Sequence, residues 1–287
     1  MNGLRPTLFS RHGVVAAAHP QAAQAGAAML MNGGNAFDAA AATAAALNVV
    51  EPFMSGLAGL GLATCYVAAE KRVRTLDFVP NVPSRFPVER FTQREDLARG
   101  ALSVGTPGNF AGWAELVRAY GRKPLGEALQ PAIQLARDGF ALAEFGVAEF
   151  NEQIPLLKGY ADLYPGWART YTDGAERVAL GHIVRQPDLA RTLEALAKQG
   201  PSHLYGGALG REIVTHLATL GGCLTIGDLE AVTPVWKEPM AARYRDLVVQ
   251  TLPPPCEGFQ FLLALRILDG FDLGGMSHNG IEHLDTV

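Results

Sequence analysis

The sequence predicts a mixed α/β fold, read as one domain over residues 1–287. Three patterns carry that prediction. Residues 36–49 are almost entirely Ala, Leu and Val, and a helix apolar on every side is a buried helix. Leu62–Ala68 and Val73–Phe78 read as strands on either side of a Lys71-Arg72 turn. Amphipathic helices fill most of the rest.

Composition agrees. Hydrophobic residues make up 48% and charged residues 18%, enough apolar mass for a sizeable core and unlike a disordered chain. The net charge of -4 argues against nucleic acid as partner, since phosphate-binding surfaces are basic. No run of about 18 apolar residues is free of Gly, Pro and polar breaks, so no membrane span is expected. The opening MNGLRPTLFSRHG lacks the apolar core of a leader peptide. The three cysteines, Cys65, Cys223 and Cys256, are odd in number and lack close metal-ligand spacing. They favour a reducing compartment, and the expected location is cytoplasmic.

The elements follow in order. Val14–Ala18 reads as a short strand broken at His19-Pro20, and Gln21–Met31 as an Ala-rich helix. In Asn32-Gly33-Gly34-Asn35, Gly33 or Gly34 suits a left-handed helix end and Asn35 an N-cap. The Ala-rich helix Ala36–Val49 then carries Asp38 in its first turn, where the helix dipole favours an acid. Glu51-Pro52 ends it. The Gly-rich turn Ser55–Gly61 leads into the strand pair, and Pro80, Pro83 and Pro87 make an extended loop. Further helices are expected at Ala111–Tyr120, Leu125–Asp138, Pro187–Gln199, Gly207–Leu220 and Ile226–Val232, the last capped by Thr225. Tyr244–Leu252 reads as a strand stopped by Pro253-Pro254-Pro255, Gly258–Leu268 as a helix, and Ser277–Val287 as the opening of another.

Each candidate for chemistry has a plainer explanation. The Gly-rich turn follows a helix and precedes a strand, the reverse of a dinucleotide loop, and no Gly-Lys-Ser/Thr follows it. It reads as a tight turn with close backbone packing, and no cofactor is expected. His278 and His283 are five apart, off the i, i+4 spacing of a zinc helix, so no metal is expected. His19 reads as a structural histidine. No G-x-S-x-G elbow is present. Cys256 opens a helix whose dipole would favour a thiolate, but Glu257 beside it opposes ionisation. Residue types and spacing alone therefore yield no catalytic constellation.

An ordered set of segments changes the picture. Val14–Ala23 (VVAAAHPQAA), Asn32–Ala40 (NGGNAFDAA), Val50-Glu51-Pro52, the Ser55-Gly56 turn and Gly105–Gly112 (GTPGNFAG) come first. Tyr120-Gly121, Gln130–Ile133, Ala136–Phe140, Leu224-Thr225, Asp228-Leu229, Tyr244-Arg245 and Pro253-Pro254-Pro255 follow. Together they resemble the gamma-glutamyltranspeptidase family of N-terminal-nucleophile (Ntn) hydrolases, over nearly the whole chain and on its large-subunit side. The resemblance implies a four-layer αββα sandwich and a precursor that cleaves itself. The new N-terminal Thr of a small subunit would be the nucleophile, its own α-amine the base, and backbone N–H groups the oxyanion hole. That apparatus would lie beyond Val287, so no residue of this chain is assigned a catalytic role.

One departure bears on substrate. Where the family places an Arg that grips the substrate α-carboxylate, after the strand ending near Asp77-Phe78, this chain has Val79, then Pro80. Arg85, six residues on and past Pro83, would need another path. Losing such a contact typically costs several kcal/mol. The expected activity is therefore an amide hydrolase or acyltransferase shifted away from gamma-glutamyl compounds such as glutathione. In the loop after the prolines, Phe259 stands where the family has Gly. Two other readings remain: an inactive large-subunit homologue that binds or assembles, and an unrelated α/β enzyme using Cys256.

Overall fold

The structure is a computed structural model that describes residues 7–93, 97–160, 164 and 166–287. Residues 1–6, the first part of the stretch in which no leader peptide is expected, lie outside the described residues. Contacts group the chain into two compact units. The first comprises residues up to Gly59 together with Pro80–Val232, and the second Leu60–Val79 with Thr233–Val287.

The first unit is helical. Helix α1 (Pro20–Met31) packs on α2 (Ala36–Val50), α2 on both α3 (Asn109–Tyr120) and α4 (Leu125–Asp138), and α4 on α7 (Pro187–Gln199). Between α4 and α7 come α5 (Glu144–Lys158), α6 (Trp167–Tyr171) and a minimal ladder of β3 (Phe140–Ala141) with β4 (Ile183–Val184). Helices α8 (Ala208–Thr219) and α9 (Ile226–Glu230) close the unit. The core gathers the alanines of α2, Phe110 and Trp113 of α3, Leu129 and Ile133 of α4, and Leu193 and Leu196 of α7, which packs on α4. Small side chains on α2 let the flanking helices approach closely.

The turn between α1 and α2 is built as its residues suggest. Gly33 takes the left-handed conformation (φ 86°) that ends α1. Asn35 caps α2, accepting from the N–H groups of Phe37 and Asp38 at 2.9 and 3.2 Å. Asp38 returns the bond, accepting from the Asn35 N–H at 2.8 Å. Its carboxylate also accepts from the N–H groups of Arg122 and Lys123, 84 and 85 residues away, at 3.0–3.2 Å. The Asn35 amide donates to the Tyr120 carbonyl at 2.6 Å. The pair that starts α2 therefore also clamps the turn joining α3 to α4, and Asp38 is fully buried.

In the second unit, β1 (Leu62–Val67) and β2 (Arg72–Asp77) form the expected hairpin, turning at Lys71 (φ 52°). β5 (Val235–Lys237) pairs with the other edge of β2, placing Thr75 opposite Lys237. A separate hairpin joins β6 (Met240–Tyr244) to β7 (Leu247–Thr251), with α10 (Gly258–Leu268) packed on it. Short α11 (Ile281–Thr286) follows.

Several expectations need correction. Val14–Ala18 is not a strand: it pairs with no strand among the described residues, the chain bends at Ala18, and pairing defines a strand. Tyr244–Leu252 is not one strand. Arg245 adopts φ 57° and turns the chain, so only Leu247–Thr251 belongs to β7 while Tyr244 ends β6. Helix α5, which is not among the expected helices, contains Pro155 close to its C-terminal end. Among the described residues no helix is long and apolar enough to cross a membrane.

Replacing Asp38 by Ala leaves three part-buried N–H groups, those of Asn35, Arg122 and Lys123, without their buried acceptor at once. The expected loss in unfolding free energy is about 2–4 kcal/mol, read from urea denaturation. An unchanged midpoint would show that the clamp is dispensable.

Candidate functional site

The residue singled out for substrate recognition sits just past β2. Val79 is half-buried, and its N–H donates to Asp77 Oδ1 at 2.9 Å. The other oxygen of Asp77, Oδ2, accepts from Lys237 Nζ at 2.7 Å. Lys237 also donates to the Pro254 carbonyl at 3.2 Å. Its own carbonyl accepts from the buried Thr75 hydroxyl at 2.8 Å. One ammonium thus ties the strand end that carries Val79 to the triple-proline loop, whose Pro254–Pro255 peptide is cis. No guanidinium stands at position 79, and the nearby lysine cation is committed to Asp77. Arg85 is exposed and belongs to the first unit.

The ion pair of Asp77 with Lys237 is not foreseen from the sequence. The available signal was Val235-Trp236-Lys237, a β-branched and aromatic run that forms a third strand.

Past the prolines, the Cys256 thiol donates to the Leu252 carbonyl at 3.3 Å and its sulfur accepts from the Gly258 N–H at 3.4 Å. These contacts make it a loop staple at the start of α10. Phe259 projects from the first turn of α10 and is 43% exposed. All three cysteines are free thiols. Burial pushes the Cys65 and Cys223 thiols up, away from the reactive thiolate form.

In the first unit, the part of the Gly-rich turn that follows α2 is held from outside. Asn109 donates its side-chain amide to the Gly56 carbonyl at 2.7 Å, and the N–H groups of Gly108 and Asn109 converge on the Gly59 carbonyl at 2.7 and 2.9 Å. A Cβ on Gly59 would lie 2.7 Å from the Asn109 amide nitrogen, so close packing explains the glycine. The N–H groups bind protein carbonyls here.

His19 caps α1, its Nδ1 accepting from the Gln21 N–H at 3.2 Å, with its ring edge-on to Phe140. Burial lowers its pKa below the ordinary 6.5, against a weaker opposing pull from Glu51. His278 and His283 meet edge to face at 5.5 Å. Among the described residues no cluster of three or more His, Cys, Asp or Glu side chains could hold a metal.

Comparison with known proteins accounts for this architecture. A sequence model of the family described as gamma-glutamyltranspeptidase matches residues 22–287. The chain belongs to the gamma-glutamyltranspeptidase family. It is 35% identical to the Acylase ACY 1 proenzyme of Pseudomonas sp. (strain SE83), over 97% of this chain and 51% of that protein. It is 31% identical to Glutathione hydrolase 3 of Arabidopsis thaliana, over 91% of this chain and 41% of that protein. The Helicobacter pylori gamma-glutamyltranspeptidase crystal structure superposes with a TM-score of 0.89 at 26% identity, covering 98% of this chain and 81% of that one. The fold is thus the mixed α/β, Ntn-hydrolase type expected from the sequence. The chain spans about half the length of these curated relatives.

Two outcomes test the plainer assignments. Replacing Cys256 by Ala in the full-length protein is expected to leave turnover within about twofold, since a staple is not a nucleophile; abolished turnover would promote the thiol. For His19 the sign follows from its lowered pKa. The unfolded imidazole takes up its proton near pH 6.5 and the folded one at lower pH. Stability is therefore full above 6.5 and falls as pH drops through the folded value. His19→Asn retains a cap without a titrating ring and should flatten that acid-side slope in thermal melts.

Proposed function

We propose that this chain is the large-subunit part of a gamma-glutamyltranspeptidase-type amide hydrolase or acyltransferase whose specificity has moved away from gamma-glutamyl compounds. The nucleophile is the N-terminal Thr of a second segment released from the same precursor, and the reaction runs through an acyl-enzyme. The relatives support a longer precursor: those named above are about twice this chain's length, and the acylase is a proenzyme. Helix α10 supports it too. Leu262 alone is buried, while Phe259, Leu263 and Ile267, spaced four apart, stand exposed along one apolar face suited to cover by that second segment. Residues 1–287 are read as one functional part, acting in the cytoplasm on small amides.

The observation that carries the specificity is Val79. A gamma-glutamyl substrate presents a carboxylate and an ammonium on its Cα. A bidentate guanidinium would hold the carboxylate tightly. A valine whose backbone is turned onto Asp77 offers it nothing, and Lys237 is occupied. Substrates whose acyl group lacks that carboxylate lose nothing at such a site. The acylase relative is in keeping with this choice.

The test is made on protein expressed from the full gene. Intact mass and N-terminal sequencing should find a second chain beginning with Thr. The same preparation should then hydrolyse aminobutyryl anilide, which lacks the α-carboxylate, with kcat/KM within about tenfold of gamma-glutamyl anilide. A preference of about a hundredfold or more for the gamma-glutamyl compound would overturn the shift in specificity. A single uncleaved and inactive species would favour the inactive homologue.

A further inference from the structure

A cleft of about 800 Å³ opens in the first unit beside α6 and the start of α7. That volume lies within the range of small-molecule sites, roughly 300–1,000 Å³. Its wall is aromatic and anchored. Trp167 and Tyr171 of α6 lie 6.0 Å apart, and both lean on buried Phe150, at 6.4 and 5.7 Å. The Tyr171 hydroxyl donates to Gln186 Oε1 at 3.3 Å, and buried Gln186 donates to the Val49 carbonyl of α2 at 2.8 Å. The rings are thereby fixed to the helical core before any ligand arrives.

The cleft is also lined by Arg169 and Arg185. Neither guanidinium has a hydrogen-bond or ion-pair partner among the described residues. Four other arginines of this unit close onto acceptors: Arg118 on Glu115, Arg137 on Glu194, Arg191 on Asp188 and Arg211 on the Gly206 carbonyl. Asp188 lines the cleft as well but is engaged by Arg191, which leaves Asp173 as the opposing carboxylate. Two open guanidinium forks beside a rigid aromatic wall match a ligand with an oxyanion at one end and a flat ring at the other. The forks suit carboxylate and phosphate geometry, and the ring packs on the aromatic side chains.

We propose that this cleft binds a small aromatic oxyanion, with its ring against Trp167 and Tyr171 and its carboxylate or phosphate held by Arg169 and Arg185. The assignment is independent of the acyl-transfer reading, and its test reads binding only. The full-length protein is titrated calorimetrically at low ionic strength with benzoate and with phenyl phosphate. Benzyl alcohol and acetate serve as probes lacking the charge or the ring. Saturable one-site binding is expected for at least one aromatic anion, with both control probes weaker by about tenfold or more; the tighter of the two anions identifies the headgroup. Arg169→Gln combined with Arg185→Gln should weaken that anion by about tenfold or more at unchanged Tm, because both side chains are exposed. The proposal is overturned by lack of saturation with both anions, by equal binding of benzyl alcohol or acetate, or by undiminished affinity in the double variant.

Discussion

A carboxylate taken wholly out of water must be surrounded by donors, and the helical unit is organised around one that is. Asp38 accepts from its own helix cap and from two N–H groups of the α3–α4 turn, while Asn35 reaches the last carbonyl of α3. These bonds fix where α2 starts relative to α3 and α4, and α2 is the helix against which α1, α3 and α4 all pack. The motif that most clearly marks the family in this chain therefore serves architecture. Its value to function is indirect: it holds the scaffold that carries the Gly-rich turn.

How much could be read from the sequence depended on the range of the forces involved. Local rules worked where the decisive contacts are local. The Asn35 cap, the Thr225 capping box and the left-handed Gly33 are each settled within a few residues, and all three stand in the structure. Helices α4 and α7, with one apolar face each, were also legible. The strand Tyr244–Leu252 failed because Arg245 carries no Gly or Asn signal for the left-handed turn it makes. Helix α5 carries no such local signal: it contains Pro155, and it buries Phe150 and Ile154, contacts that only tertiary packing supplies.

The candidate site divided along the same line. The valine at position 79 is a matter of residue identity, legible in the sequence itself. The Asp77–Lys237 pair spans 160 positions and needs β5, so no window of sequence could display it. The cleft at Trp167 is similar: its wall, rim and anchor come from α6, α7 and α2, and only folding brings them together. Pairings of this range are the ones that sequence periodicity does not encode.

The lysine bridge carries a consequence for how such a site changes over generations. The Val79 backbone rests against the same carboxylate that holds Lys237, so a guanidinium introduced at position 79 would arrive beside Asp77 and compete with the ammonium already there. Displacing Lys237 would also loosen its hold on the Pro254 carbonyl. Positions 79 and 237 are thus epistatic, and the order of replacements matters. A chain that took on an arginine at position 79 without first neutralising the lysine would disturb the proline loop before the new guanidinium had a ligand to hold, so the lysine bridge acts as a ratchet on what position 79 can become.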